Sequence, residues 1–198
     1  RGEMRGVLTI FLTRSSPKAT VFVSGESNWA LERCEVRSQG GAAILVTGNA
    51  TALVSRCGLG GCGKKGKRAT NVMSATDHTN VTVVNSLVAH SVLGGLRFYG
   101  NCTARVDNCT IRHIGWYGLL VDHGADLRAE GCSFIKCGEA ALATSARPKD
   151  CTIRSGGHTI AEGVDEWWGM QRPGTMLPLD APWPPKSEAS CATGGGGG

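Results

Sequence analysis

The sequence predicts an all-β solenoid, a stack of similar rungs built from short strands. A cysteine returns at intervals of 23 residues through much of the chain, and fixed offsets of this size are typical of stacked repeats. Apolar residues alternate around each of these cysteines, as in strands that bury one face. Glycine accounts for 29 of 198 residues, about twice its usual share, which indicates many turns.

Seven rungs of about 23 residues result when each rung is aligned on one marker residue. The markers are Phe11, Cys34, Cys57, Ser86, Cys109, Cys132 and Cys151. The steps between them are 23, 23, 29, 23, 23 and 19 residues. We ascribe the long step to the glycine-rich basic segment 60–70 and the short one to a tight corner at 145–150, which contains Pro148.

Each rung offers three short strands separated by three corners. The corner before the marker holds Asn85, Asn108 and Gly131, which are residue types that tolerate left-handed backbone. Glycines define the other two corners. The second corner holds Gly40, Gly63, Gly115, Gly138 and Gly157, and the third holds Gly25, Gly48 and Gly100.

This arrangement of three strands and three corners resembles the right-handed parallel β-helix of the pectin-lyase-like superfamily. The resemblance covers about residues 6–157. A leucine-rich repeat would need a recurrent Leu-x-x-Leu-x-Leu pattern, which is absent here. An α-solenoid is excluded by the period-2 alternation.

The chain divides into three predicted segments. Residues 1–157 form the β-helix rungs, and residues 158–176 form a C-terminal cap or irregular segment. In that segment, Trp167 and Trp168 either cover the open end of the stack or bind a partner. Residues 177–198 are rich in Pro and Gly and are expected to be a disordered tail.

The marker cysteines are expected to form an interior column of small apolar side chains. In-register side chains point the same way, which suits a disulfide poorly, and the spacings do not match a zinc site. We therefore expect no metal and no cofactor. Reduced buried cysteines favour the cytoplasm. Four N-glycosylation sequons leave secretion as the alternative; they begin at Asn49, Asn80, Asn101 and Asn108.

Composition limits the kinds of partner. The net charge of +5 is modest and much of the basic character sits in one cluster at 64–68, so a nucleic-acid partner is not expected. No apolar run approaches 18 residues, so no membrane span is expected either. We expect a monomeric domain whose partner is a protein or a polysaccharide.

The first group of candidate ligand-binding residues is a charged ladder on one outward strand face. Its arginines lie four residues before the marker and its acids two before. The ladder comprises Arg105, Arg128, Arg147, Asp107 and Glu130. Such residues are either cross-strand neighbours forming surface ion pairs or a groove that grips an acidic polymer through guanidinium groups.

A second group lies four residues after the marker, where His90, His113 and Lys136 fall in consecutive rungs. They could hold an anion, or one histidine could act as a general base. Trp116 follows the glycine corner nearby and is expected to be exposed, as a platform for a sugar or a partner protein.

The third group is Asp122 and His123. The surrounding segment is loosely similar to the Tyr-Gly-Phe-Asp-Pro-His motif of alginate C5-epimerases. It has two extra apolar residues and no proline, so no catalytic role is carried over.

The sequence therefore favours a non-catalytic recognition scaffold, with no catalytic residue assigned. It resembles the short β-helices that serve as recognition modules in some F-box-type ubiquitin ligases. The alternative is a carbohydrate-active enzyme, namely a lyase, epimerase or hydrolase on an acidic polysaccharide. Such an enzyme needs convergent acids on one face, whereas Asp107 and Glu130 each have an arginine two residues earlier.

Overall fold

A computed structural model describes residues 2–12, 19–38, 40–62, 70–122, 124–144 and 151–160. Within these ranges the chain is entirely β-structure, turns and bends, without a helix. The strands are β1 Gly2–Leu12, β2 Ala19–Val23, β3 Asn28–Ser38, β4 Ala42–Val46, β5 Thr51–Ser55, β6 Gly58–Cys62, β7 Met73–Ala75, β8 Asn80–Val84, β9 Leu87–Ser91, β10 Leu96–Phe98, β11 Thr103–Asp107, β12 Thr110–Ile114, β13 Tyr117–Val121, β14 Asp126–Glu130, β15 Ser133–Cys137, β16 Ala140–Thr144, β17 Thr152–Gly156 and β18 Thr159–Ile160.

The strands stack in parallel on three faces, as the sequence predicts. The first face is β17-β14-β11-β8-β5 and the second is β6-β9-β12-β15-β18; the long strand β3 joins them by pairing with both β5 and β6. The third face is the separate sheet β16-β13-β10-β7-β4-β2. Six stacked strands on this face enclose about five complete turns, so the prediction of seven rungs is slightly too high.

The pairing register corrects the alignment of the two terminal rungs. Leu8, and not Phe11, is the residue opposite Cys34. At the other end, Glu130 pairs with Gly156, which brings His158 next to Cys132 and moves Cys151 into another column. Both errors arose because the markers there are not cysteines and the steps are 26 residues long.

The same pairing register also places Gly157 in a different corner from the one predicted. It follows Gly156 and therefore lies in the corner before the marker, beside Gly131, rather than in the second corner where it was predicted. Strand β18 stacks on β15, so the pairing continues to residue 160. The segments 161–176 and 177–198, with Trp167 and Trp168, lie outside the described residues.

The bend before each marker is left-handed at every described turn. Asn85 and Asn108 have φ of 51° and 50°, as their residue types predict. Arg33 and Arg56 adopt φ of 55° in the same column, although longer side chains rarely take this conformation. The left-handed bend therefore recurs at this position of the repeat whatever the residue type. The residue type changes only the conformational energy that the bend costs.

The core runs along the axis between the three faces. It consists of Val, Ile, Leu, Ala and Cys columns with the larger rings of Phe98 and Phe134, all fully buried. All eight cysteines in the described ranges are free thiols: Cys34, Cys57, Cys62, Cys102, Cys109, Cys132, Cys137 and Cys151. Burial raises the pKa of Cys62 and Cys137 to about 12, so both thiols stay protonated at neutral pH.

Candidate functional site

The arginine ladder lies on the first face and its register differs at one end from the prediction. Arg105 pairs in register with Arg128, and Arg128 pairs with Arg154. Arg154 therefore takes the place predicted for Arg147, because the last rung is aligned on His158. Arg147 itself lies outside the described residues.

Acidic side chains on the same face neutralise much of this ladder. The Arg105 guanidinium contacts the carboxylate of Asp107, and Arg128 Nη2 lies 3.8 Å from Glu130 Oε2. Asp107 is buried although it points outward, and its Oδ1 has no hydrogen-bond partner within the described part of the chain. Each acid is thus engaged by the arginine two residues before it.

The second face carries the column of His90, His113 and Lys136. All three have positive φ, between 53° and 59°, and the ladder pairing of β12 with its neighbours skips His113. Strands β9, β12 and β15 therefore share a left-handed kink at this position, which turns one side chain outward while the pairing register on either side of it is kept. The rings of His90 and His113 stack with their centroids 5.0 Å apart and their planes 12° from parallel.

Positive charge is concentrated around this column. The pKa of His113 lies below its ordinary value because of desolvation and because of the charges of His90, Lys136 and Arg112. None of these four side chains forms an ion pair within the described ranges. This column thus differs from the arginine ladder of the first face, where acids accompany the arginines.

A groove of about 190 Å³ opens on the second face next to His90. Its floor is formed by Gly58, Gly60, Leu87 and Ala89, at the outward positions of β6 and β9. The ion pair of Glu35 with Arg37 stands at one end, and Arg112 stands at the other.

This groove was not predicted from the sequence. The signal was present in the outward column three residues after the marker, where Arg37, Gly60, Ala89 and Arg112 follow one another in register. Two small residues between two arginines predict a depression with charged ends, but only once the register is known.

Trp116 lies at the corner that follows the second face. Its side chain is 48% exposed, and its ring meets that of the half-buried Tyr117 edge-on, with centroids 6.2 Å apart. The tryptophan is available as a contact surface but does not line the groove.

Asp122 lies at the end of the third face, where its buried carboxylate is ion-paired with the partly exposed Arg97. Its Oδ2 accepts hydrogen bonds from Arg97 Nε at 2.7 Å and Nη2 at 2.6 Å. The Arg97 guanidinium also stacks 4.7 Å above the ring of Tyr99. His123 lies outside the described residues.

The predicted site residues therefore do not converge. The Asp107 and Glu130 pair ends first-face strands, the histidine column lies on the second face, and Asp122 follows a third-face strand. In the described ranges no three His, Cys, Asp or Glu side chains are grouped so that they could hold a metal ion. No helix that could cross a membrane occurs in them either.

The three-faced parallel stack defines a β-solenoid with charged outer faces and a filled core. The chain belongs to the family described as "Right handed beta helix region", which matches residues 13–160. Comparison with curated proteins and with solved structures found no match.

Proposed function

We propose that this protein is a non-catalytic recognition scaffold that binds a partner protein or a glycan on its outer face. One observation carries the proposal: among the described residues the predicted acidic site residues lie on different faces, and the groove on the second face is lined by one carboxylate, Glu35, which is ion-paired with Arg37. Acid–base chemistry needs two or more such groups within reach of one bond. Extended recognition needs only a long rigid face.

The contacts between the acidic side chains and neighbouring arginines support the same proposal. The Asp107, Glu130 and Asp122 carboxylates each contact or approach an arginine. A carboxylate held by a guanidinium already has an ion-pair partner, which leaves it poorly placed to meet a glycosidic oxygen. No observation favours the alternative of a carbohydrate-active enzyme, which is therefore tested directly.

The test is binding and turnover on an array of acidic and neutral polysaccharides, with and without calcium. The wild type is compared with the Arg105→Ala/Arg128→Ala variant and with His113→Ala. We expect no release of reducing ends, unsaturated products or epimerised sugars from any polymer. Turnover that either variant abolishes would overturn the proposal and would locate a catalytic face.

A further inference from the structure

We propose that the groove on the second face binds an extended peptide segment of a partner protein, with an apolar side chain on the groove floor and a carboxylate at Arg112. The inference rests on the proposed function and deepens it, because it names one surface and one chemical class of partner.

The guanidinium of Arg112 is the group in the groove that most needs a ligand. Its guanidinium forms no ion pair within the described ranges, and its Nε is buried without a hydrogen-bond partner. A buried N–H group that has lost water and gained no partner destabilises the fold. A ligand carboxylate that engages the guanidinium supplies charge-assisted hydrogen bonds where the protein provides none.

The two ends of the groove differ in charge. At the Glu35 end, the carboxylate already engages Arg37, so that end is electrically balanced. At the opposite end, the cationic Arg112 and Lys136 lie near enough to His113 to lower its pKa, and neither cation forms an ion pair within the described ranges. The groove therefore attracts an anionic group to the Arg112 end only, which gives a bound segment one orientation.

The floor of the groove offers room for an apolar side chain beside Leu87 and Gly58. A Cβ on Gly58 would meet only Glu35 Cγ, at 3.7 Å, so the space there is open. Gly60 and Ala89 continue the floor in close contact, since a Cβ on Gly60 would lie 2.1 Å from the Ala89 carbonyl oxygen. Parallel strands lie about 4.8 Å apart, so the middle of the floor, between β6 and β9, lies about one and a half strand spacings, or roughly 7 Å, from the strand that carries Arg112. Side chains two residues apart on an extended peptide are separated by about 6.7 Å, which matches an apolar residue followed two positions later by an acidic one.

The floor also favours a peptide over a sugar. The residues that line the groove include no Trp, Tyr or Phe ring on which a pyranose could stack, and Trp116 lies around the next corner. The Glu35 carboxylate at the closed end opposes a polymer with an acid on every unit. A segment with one acid and one apolar side chain meets neither obstacle.

The experiment uses ¹⁵N-labelled protein and the peptide Ac-Gly-Leu-Gly-Glu-Gly-NH₂, with the Gln-containing peptide as the uncharged control and galacturonic acid as the sugar control. We expect saturable shifts of the Gly58, Gly60 and Gly61 amides and of Arg112 Nε–H, with Kd near 1 mM for so short a probe. The Gln peptide and the Arg112→Gln variant should each weaken binding about fivefold or more.

A second pair of variants separates blocking from misfolding. A Cβ on Gly58 would meet only Glu35 Cγ, at 3.7 Å, so Gly58→Val fills the groove without a backbone clash and should abolish the shifts. Ser133→Val adds the same side chain to the same outward column away from the groove and should leave Kd unchanged.

Several outcomes would overturn the inference. These are equal affinity for the Glu and Gln peptides, binding that survives Gly58→Val, no saturable shift up to about 10 mM, or tighter binding of galacturonic acid than of the peptide. Each leaves the proposed function standing, because that proposal fails only if turnover is detected on the polysaccharide array.

Discussion

At the scale of single residues, His158 occupies the marker position that holds a cysteine or serine in other turns, and it accepts the same backbone hydrogen bond. The Cys132 amide donates a hydrogen bond to His158 Nδ1 at 3.1 Å. In two other turns the next marker accepts the same bond, through Cys57 Sγ and through Ser86 Oγ. The imidazole ring is 1% exposed and meets Phe134 edge-on. Burial lowers the pKa of His158 to about 4.

This pKa predicts a loss of stability in acid. As the pH falls through about 6.5, the unfolded histidine takes up a proton that the folded protein does not accept until about pH 4. The free energy of unfolding should therefore fall by about 2–3 kcal/mol between pH 7.5 and 4.5 through this residue alone. His158→Ser keeps an acceptor for the Cys132 amide, and urea unfolding at both pH values should show a drop smaller by this amount. An equal drop in variant and wild type would contradict the assignment.

At the scale of the element, the marker column satisfies the backbone at the left-handed bend. The Cys34 amide donates to Cys57 Sγ at 3.4 Å, and Cys57 Sγ lies 3.2 Å from the Ser55 carbonyl. Ser86 repeats both contacts, because it accepts from the Cys57 amide and donates to the Val84 carbonyl at 2.8 Å. The cysteines are therefore hydrogen-bonding residues as well as small apolar side chains.

Substitutions at Cys57 should separate these two roles. Cys57→Ser retains an acceptor and a donor and should lower the free energy of unfolding by about 1 kcal/mol or less. Cys57→Ala leaves the Cys34 amide buried without a partner and should cost about 1–3 kcal/mol more than the serine variant. Urea denaturation of the three proteins measures the difference. Equal stability of the serine and alanine variants would show that only packing matters.

A corner glycine and a strand glycine should also differ in how well they tolerate substitution by alanine. A Cβ on Gly115 would lie 2.1 Å from the Val92 carbonyl oxygen, a backbone atom. Gly115→Ala should therefore destabilise the fold by about 2 kcal/mol or more. Gly58 has open space, and Gly58→Ala should be neutral or up to about 1 kcal/mol stabilising, since alanine restricts the unfolded chain. Thermal unfolding of both variants provides the comparison, and similar losses would contradict it.

At the scale of the whole molecule, the interior columns carry the repeat signal of the sequence, whereas the proposed recognition function lies on the outer faces. The fold class was predictable because Cys34, Cys57, Cys109 and Cys132 must repeat where each turn buries the same position. The terminal rungs were misaligned because Leu8 and His158 occupy the marker position there. Outward residues need not repeat, so the period says little about them.

The site was less predictable for the same reason. Arg105, Asp107, Arg128 and Glu130 attracted attention because they recur, yet recurrence on the first face produced ion pairs. The groove depends instead on the missing side chain at Gly58 and on Arg112, whose guanidinium has no ion-pair partner among the described residues. Such a feature is recognised only when residues from four successive strands are brought into register.

The most direct test of this account is to follow the arginine Nε–H resonances of both faces in one NMR titration with the Leu- and Glu-containing peptide. The account predicts that Arg112 shifts saturably while Arg105 and Arg128, which contact or approach acids of their own, do not. Shifts at Arg105 and Arg128 with Arg112 unchanged would contradict it and would make the first-face ladder the recognition surface.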